Sequence, residues 1–422
     1  MKTSLLGGIV GAAATVVAVA FLSRSWHALV LLLPMLLFLA VGSLFSPPRI
    51  EVAVVRSLSR ERCAVGQDVE VRLRLINEGI RLAGLEVFDN LATTLDVVKG
   101  RPHVFTDIAK GGAVEISYTF RPAVKGEYAI GPLVLRIRDP LGLQYEELRI
   151  PVEARLIVAP RMEDVRRVRV VPRRVRQPIG LVRSRQVGTG LEFFSLREYE
   201  PGDEIRRVNW KASARRDRLF TNEYEAERSG DAILILDARS ESEVGPVPRS
   251  TIELGVTATV SLAAKILETR NRAGLIIQRE ILDWVYPGYG RKQLYRIVDA
   301  LVHVRAGGEW PFEHVTWVLG RFFPKDAQIV IVSPLLDRKA VDVIADLRAH
   351  GFDVLVVSPS PVEVERAMYG SDELAGLAYR VLKMERDALV QSLRGYADVV
   401  DWDPRQPLAA ALQGVKPYPR RR

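Results

Sequence analysis

The sequence predicts a multidomain protein with an N-terminal two-helix transmembrane hairpin, an immunoglobulin-like β-sandwich and a doubly wound α/β domain. Three observations support this prediction. Two apolar runs without Lys, Arg, Asp or Glu occupy residues 3–23 and 25–48. Apolar and polar residues then alternate with a period of two within residues 49–158. From residue 231 to residue 404, short apolar runs alternate with helical segments.

Residues 1–48 are predicted to be the transmembrane hairpin. Each apolar run can span a hydrocarbon core about 30 Å thick, which needs roughly 20 apolar residues. Only a short link at Arg24 to His27 joins the two predicted helices, so their outer ends emerge on the same side. Because Arg49 and Arg56 follow the second run, the positive-inside rule places the remaining chain in the cytoplasm. We therefore expect a cell-membrane location, with membrane lipids as partners.

A cleaved signal peptide is the alternative interpretation of the first apolar run. Lys2, the apolar stretch and Ala18-Val19-Ala20 resemble such a peptide. Cleavage would leave the second run as a lone anchor, with the folded body outside the cell.

Residues 49–158 are predicted to form the β-sandwich. Residues 69–75 and 114–120 alternate apolar and polar side chains, as half-buried strands do. About seven short strands separated by frequent turn signals are typical of an immunoglobulin-like sandwich. No cluster of catalytic residue types lies here, so we predict a spacer or binding module. Cys63 is the single cysteine, which excludes an intrachain disulfide.

The chain carries a net charge of +9, which suits nucleic acid, anionic lipid or an acidic protein as a partner. Seven arginines lie between residues 161 and 176, in a basic connector predicted for residues 159–230. One interpretation is a patch for phosphate groups of lipid or nucleic acid, and the other is a solvated face. No aromatic residue is interleaved with these arginines for base stacking. The solvated face is therefore favoured, and nucleic acid is not expected as a partner. Residues 405–422 form a basic C-terminal tail.

A dense motif follows the connector, over residues 188–215. Pro201-Gly202 predicts a tight turn, and Asp203 is placed to cap a short helix. Apolar residues at helical spacing would form the inner stripe of that helix: Ile205, Val208 and Ala212. Basic residues stand elsewhere on it: Arg206, Arg207, Lys211 and Arg215. We expect them to pair with nearby acids, Glu192, Glu198, Glu223 and Glu225. Recognition of an acidic partner is the alternative, and Trp210 is expected to pack.

This motif resembles the signature of the domain of unknown function 58 family, and so do the turn at residues 139–143 and the two apolar N-terminal runs. The resemblance implies that the motif is a partner-binding or structural signature, with these residues: Arg197, Glu198, Tyr199, Pro201, Gly202, Asp203, Arg206, Asn209, Trp210, Lys211 and Arg215. It also implies a von Willebrand factor A-like domain. Genes of this family often neighbour those of MoxR-type AAA+ ATPases, which implies a chaperone-like or assembly partnership.

Residues 231–404 are predicted to form the α/β domain. The clear strands lie at residues 232–237, 274–277, 328–333 and 352–357. Ligands of such sheets bind at the carboxyl ends of the strands, where Asp237 lies. In von Willebrand A-like domains the first strand ends in Asp-x-Ser-x-Ser, which holds a divalent cation through oxygen ligands.

The corresponding segment here is Asp237-Ala-Arg-Ser-Glu-Ser242, in which the two serines are out of register. We therefore predict a degenerate Mg²⁺ site at Asp237, Ser240 and Asp337, with no other cofactor. The positive charge of Arg239 opposes a cation there, and the alternative is a salt-bridged Asp237 that persists as a relic of the fold.

The sequence contains no phosphate-binding P-loop, His-Glu-x-x-His, Cys-x-x-Cys or Gly-x-Ser-x-Gly motif, so we do not predict an enzyme. The predicted function is that of a membrane-anchored scaffold or adaptor. Its cytoplasmic von Willebrand A-like domain would bind another protein, such as a MoxR-type AAA+ ATPase. The alternatives are a metal-dependent hydrolase centred on Asp237 and a basic protein that binds nucleic acid or a lipid surface.

Overall fold

The computed structural model describes thirteen stretches of the chain. These are residues 4–24, 26–44, 47–139, 141, 144–165, 187–200, 203–216, 218–225, 230–309, 313–324, 327–337, 339–368 and 373–413. The chain divides into two compact units, Met1–Ala159 and Pro160–Arg422. The finer predicted boundaries, at residues 48, 158, 230 and 404, stay predictions.

The first unit begins with helix α1 (Ser4–Leu22), a 3₁₀ helix (Trp26–Leu31) and helix α2 (Leu32–Leu44). Within the described residues, no helix combines the length and the apolar character that crossing a membrane requires. The transmembrane hairpin predicted for residues 1–48 is therefore wrong, and so is the membrane location inferred from it. The second apolar run divides between 3₁₀ and α geometry, which leaves α2 with 13 residues, where about 20 are needed.

Eleven strands make up the rest of the described part of this unit. They are β1 (Val52–Leu58), β2 (Arg62–Ala64), β3 (Val69–Asn77), β4 (Leu82–Asp89), β5 (Leu95–Lys99), β6 (His103–Ile108), β7 (Ala113–Pro122), β8 (Gly126–Ile130), β9 (Leu133–Arg138), β10 (Tyr145–Ile150) and β11 (Ala154–Ala159). Two four-stranded antiparallel sheets have the orders β1-β3-β7-β5 and β10-β9-β4-β6, and a third sheet has the order β2-β11-β8.

The two four-stranded sheets share one apolar core, as in a sandwich. Alternate residues of β3 are buried, among them Val71 and Leu73, because successive side chains point to opposite faces of a strand. An ion pair between Arg56 and Asp89 lies inside this core, and the Tyr118 hydroxyl donates a hydrogen bond of 2.6 Å to Asp89. Arg56, Asp89 and the Tyr118 hydroxyl thus serve as hydrogen-bonding partners for one another away from water.

The first strands described in the second unit form a two-stranded antiparallel hairpin, β12 (Val187–Glu198) and β13 (Phe220–Glu225). A 3₁₀ turn (Ile205–Arg207) and helix α3 (Trp210–Arg216) lie between these strands in the sequence. The motif predicted from residues 188–215 therefore spans one strand of the hairpin and the segment that connects it to the other.

A six-stranded sheet forms the centre of this unit. Its strands are β14 (Asp231–Asp237), β15 (Arg272–Gln278), β16 (Asp283–Gly288), β17 (Gln328–Val332), β18 (Asp353–Pro359) and β19 (Asp398–Trp402). The order is β16-β15-β14-β17-β18-β19, and every neighbouring pair is parallel except β15 with β16. The strands β14, β15, β17 and β18 carry continuous buried runs, because both faces of the sheet are covered there.

Seven helices of the described residues accompany this sheet. They are α4 (Thr251–Glu268), α5 (Gly290–Val302), α6 (Glu313–Phe322), α7 (Lys339–Ala349), α8 (Pro361–Arg366), α9 (Glu373–Leu393) and α10 (Leu408–Gln413). Leu234 and Leu236 of β14 face a core built with α4, α5 and α10. Ile233 and Ile235 face a second core built with α6, α7 and α9. Because both faces of the sheet are covered by apolar side chains, polar groups lie in the loops at the carboxyl ends of the parallel strands.

Candidate functional site

Asp203 is the polar anchor of the signature motif. The Arg197 guanidinium donates hydrogen bonds of 2.8 Å and 3.0 Å to its two carboxylate oxygens, and the Glu200 amide donates one of 3.0 Å. The hydrogen bond from the Glu200 backbone, together with that from Arg197, lowers the pKa of Asp203 below its ordinary value. Asp203 therefore closes a loop against β12. The prediction that it caps a helix is wrong.

Asn209 is the residue that caps a helix in this motif. Its side-chain oxygen accepts a hydrogen bond of 3.0 Å from the Ala212 amide in the first turn of α3. Its side-chain nitrogen donates one of 2.8 Å to Asn222 on β13. The Ser213 hydroxyl donates to the Asn209 carbonyl and accepts from the Phe220 amide, both at 2.9 Å. Asn209 and Ser213 together fasten α3 to β13, and the sequence analysis missed Ser213.

Two large apolar residues between β12 and β13 are mostly exposed. Ile205 is 70% exposed and Trp210 is 64% exposed, whereas Val208 is buried. The predicted inner stripe and the predicted packing of Trp210 are wrong, because the segment is not one continuous helix. Val208 has extended backbone angles between the 3₁₀ turn and α3, which breaks the helical period. Three basic side chains are also exposed: Arg206, Lys211 and Arg215.

The remaining residues of the predicted motif either form hydrogen bonds within the hairpin or lie outside the described residues. Glu198 accepts a hydrogen bond of 3.0 Å from Arg218, and the Tyr199 amide donates one of 2.8 Å to the Leu219 carbonyl. Pro201 and Gly202 lie outside the described residues, as do the side chains of three acids: Glu192, Glu223 and Glu225. The predicted network between these acids and the basic residues of the motif stays a prediction.

A second polar group lies at the carboxyl end of β14. Arg239 donates hydrogen bonds of 2.9 Å and 3.0 Å to the two carboxylate oxygens of Asp237, and it also bonds Glu241. The Ser333 hydroxyl donates a further bond of 2.7 Å to Asp237. The side chains of Asp237 and Arg239 are 1% and 4% exposed, so this is a buried and fully bonded ion pair.

The structure brings together two of the three predicted metal ligands, Asp237 and Asp337. Both carboxylates lie near the guanidinium group of Arg239. Asp337 lies 3.7 Å from Arg239, while the Ser240 side chain is exposed. Among the residues that the structure describes, no group of three or more His, Cys, Asp or Glu could hold a metal ion. A cation at Asp237 would have to displace a charge that already neutralises the carboxylate.

A third polar group, which the sequence analysis missed, lies at the carboxyl ends of β18 and β19. Arg386 of α9 donates hydrogen bonds to Asp401, to Ser358 and to the Pro334 carbonyl. Glu363, in turn, accepts hydrogen bonds from Tyr379 and Arg405. The sequence carries a signal for this group, because Tyr379, Lys383 and Arg386 share one helical stripe with the buried Val390 and Leu393. The bonds hold α9 against the edge of the sheet.

The chain is similar to two solved structures over about a quarter of its length. The cupredoxin domain of amoB from Nitrosocaldus yellowstonii has a TM-score of 0.19 and 14% identity, and covers 26% of this chain and 88% of its own. The CARDB domain of PF1109 from Pyrococcus furiosus has a TM-score of 0.20 and 13% identity, and covers 27% of this chain and 89% of its own. Scores this low support no conclusion about fold or function.

Sequence comparisons match parts of this chain to a relative and to a family. The uncharacterized protein YeaD of Bacillus subtilis (strain 168) is 36% identical over 81 residues, which are 19% of this chain. The chain covers 18% of the length of that relative. Residues 195–368, which run from the signature motif through α8, match the family described as protein of unknown function DUF58.

Proposed function

We propose that this chain is a scaffold or adaptor protein that binds another protein through an exposed surface of its signature motif. That surface, called the motif surface below, comprises Ile205, Arg206, Trp210, Lys211 and Arg215. One observation supports the proposal above others. Internal hydrogen bonds hold Asp203, Asn209 and Ser213, while Trp210 and Ile205 stay mostly exposed.

The chemistry of the motif surface favours an acidic protein partner. Tryptophan and arginine are the residue types that contribute most to binding at protein interfaces, because they combine apolar area with hydrogen bonding. Three basic side chains beside an exposed Trp210 would attract and orient acidic groups. The first partner to test is a MoxR-type AAA+ ATPase, the class that the family resemblance implies.

We also propose that the α/β domain is of the von Willebrand A-like type. Its mostly parallel sheet, with Asp237 at the carboxyl end of a central strand, supports this assignment. Arg239 is the departure from the cation-binding pattern, since its guanidinium bonds the carboxylate that would ligate the ion. Binding of a partner by this domain would then proceed without a bridging cation.

The decisive experiment measures binding between the purified full chain and a purified MoxR-type ATPase. Trp210→Ala and Arg206→Glu should each weaken the complex at least about tenfold, because the first removes the largest apolar side chain of the motif surface and the second reverses one of its charges. Two matched controls change exposed residues elsewhere, Trp317→Ala on α6 and Arg296→Glu on α5. They should bind like the wild type. Equal affinity of all four variants, or no complex with the wild type, would remove this proposal.

The alternatives have less support. A hydrolase centred on Asp237 would need its carboxylate free, and Arg239 and Ser333 bond both of its oxygens. The proposed binder of nucleic acid or lipid rests mainly on arginines between residues 166 and 176, which lie outside the described residues. That hypothesis and the expected lipid contacts stay predictions.

A further inference from the structure

Helix α9 presents an apolar stripe to solvent. Leu374 and Met384 are 78% and 73% exposed, and Leu377 and Val381 are 53% and 50% exposed. The helix has 21 residues and is therefore about 31 Å long. Exposed apolar residues scattered singly are normal, but a continuous stripe of this kind marks an interaction surface.

The opposite face of α9 is polar along most of the length of this stripe. Tyr379, Lys383 and Arg386 point toward the polar group at the ends of β18 and β19. The apolar side chains of that face follow only in the last part of the helix: Leu389, Val390 and Leu393. An ordinary surface helix buries its apolar face and exposes its polar face. The outer face of α9 therefore has the composition expected of a surface that another molecule covers.

The spacing of the stripe specifies what kind of element covers it. Leu374, Leu377, Val381, Met384 and Ala388 follow one another at intervals of three and four residues, which are the a and d positions of a heptad repeat. Such a repeat fits a second helix packed with knobs in holes. The a position at Val381 is β-branched and the d position at Leu377 is leucine, a combination that favours two strands.

Two charged residues flank the stripe, and their positions indicate which helix packs on it. With Leu374 at an a position, Arg380 is a g residue and Glu385 is the e residue of the next heptad. Both are exposed, and no hydrogen bond or ion pair reaches either from the described residues. They are five apart, so they do not face each other on their own helix. In a parallel pair of identical helices, Arg380 of one meets Glu385 of the other, twice by symmetry.

We propose that α9 is a self-association surface, on which α9 of a second copy of this chain packs in parallel about a two-fold axis. The interface is isologous, so the same stripe serves both copies and closes the assembly at a dimer. It uses no residue of the motif surface. An antiparallel pair would bring Arg380 near Asp387 of the other copy, but Asp387 already lies 3.7 Å from Lys383 of its own helix.

Cysteine crosslinking of the full chain tests both the contact and its direction. In a parallel dimer, equivalent a positions meet and equivalent d positions meet, so Val381→Cys and Met384→Cys should each form a disulfide-linked dimer under mild oxidation. Asp342→Cys, at an exposed position on α7, is the matched control and should form no disulfide-linked dimer. The wild type should form none either, because its single cysteine, Cys63, is buried. No crosslinking, or crosslinking only in a mixture of the two variants, would overturn the parallel dimer.

A charge exchange tests the proposed ion pairs independently of the fold. Arg380→Glu and Glu385→Arg should each raise the dimer dissociation constant about tenfold, because two like-charged pairs then face each other. The double variant restores opposite charges across a parallel interface and should recover the affinity of the wild type. A double variant no tighter than the two single variants would overturn the parallel pairing, since these exposed positions should not affect folding.

Discussion

At the scale of the residue, Arg239 sets the charge balance at the carboxyl end of β14. Its guanidinium is bonded to both oxygens of Asp237 and lies within ion-pair distance of Asp337. A buried pair of this kind is costly to break, because removing one partner leaves an uncompensated charge away from water. The pair therefore helps to fix the loop after β14.

Arg239→Met should lower the free energy of unfolding by about 3–5 kcal/mol, because it leaves Asp237 charged and buried. Urea unfolding followed by circular dichroism measures this loss. The double variant Asp237→Asn/Arg239→Met should recover part of it, since both charges are then absent. A single variant as stable as the wild type would show that water reaches Asp237 despite its burial.

The same pair makes a prediction about Mg²⁺. Excess Mg²⁺ should leave the melting temperature of the wild type unchanged, because Arg239 already neutralises the carboxylate that the ion would need. Asp237→Asn serves as the reference for non-specific salt effects. A rise in melting temperature with Mg²⁺ in the wild type, absent in Asp237→Asn, would establish the cation site that the sequence predicted.

Asp203 supplies a prediction about pH. Its pKa is lower in the folded state than in the unfolded chain, so its hydrogen bonds stabilise the motif fully above the unfolded pKa. This contribution is lost as the pH falls through the folded pKa. Asp203→Asn should therefore melt below the wild type at pH 7, and the difference should shrink toward zero on acidification below about pH 4. A difference that stays constant with pH would exclude the charge of Asp203 as its source.

The sequence alone could place some of these residues but not their bonds. Asp237 was located because it ends a continuous apolar run, which marks a buried strand. The capping role of Asn209 depends on Ala212, three residues away, and on a partner on β13, Asn222. An asparagine three residues before Ala212 is a local pattern that predicts a helix cap. The bond to Asn222 cannot be predicted in this way, because it depends on the pairing of β12 with β13.

At the scale of the element, Arg386 is the main polar attachment of α9. It donates hydrogen bonds to Asp401 from two nitrogens and further bonds to Ser358 and the Pro334 carbonyl. These groups lie on different segments of the chain, so one side chain holds the helix to two strands and a loop. Only the planar fork of arginine matches this set of acceptors.

Arg386→Lys should destabilise the second unit by about 1–3 kcal/mol, because an ammonium group keeps the charge but leaves buried acceptors without donors. Arg380→Lys, an exposed change on the same helix, should alter stability by no more than about 0.5 kcal/mol. Chemical denaturation of both variants makes the comparison. Equal stability of the two would show that the charge of Arg386 matters and its geometry does not.

Elements with a strong period could be predicted, and weakly patterned ones could not. The strands β14, β17 and β18 coincide closely with apolar runs in the sequence. β16 and α6 were missed, since β16 is an edge strand with little burial and α6 is short. The hairpin at the N-terminus was predicted wrongly because apolar composition does not reveal that residues 26–31 take 3₁₀ geometry.

At the scale of the whole molecule, the chain consists of two units with separate apolar cores. The core of the first is built from strands of both sandwich sheets, and those of the second lie on the two faces of the parallel sheet. Each unit has the length of an ordinary domain, which is sufficient to bury its own core. Two units of this kind need not unfold as one cooperative body.

Core substitutions in each unit test whether the two unfold separately. Leu135 of the sandwich and Leu234 of β14 are both fully buried, so replacing either by alanine should cost about 2–5 kcal/mol through lost contacts and the cavity left behind. Differential scanning calorimetry of the full chain should show two transitions. Leu135→Ala should lower one of them by roughly 5–15 °C, and Leu234→Ala should lower the other by a similar amount. Each substitution is thus the control for the other, because the chemical change is the same and only the core differs. A single transition that both variants shift equally would mean that the division of the chain into two units has no counterpart in its stability.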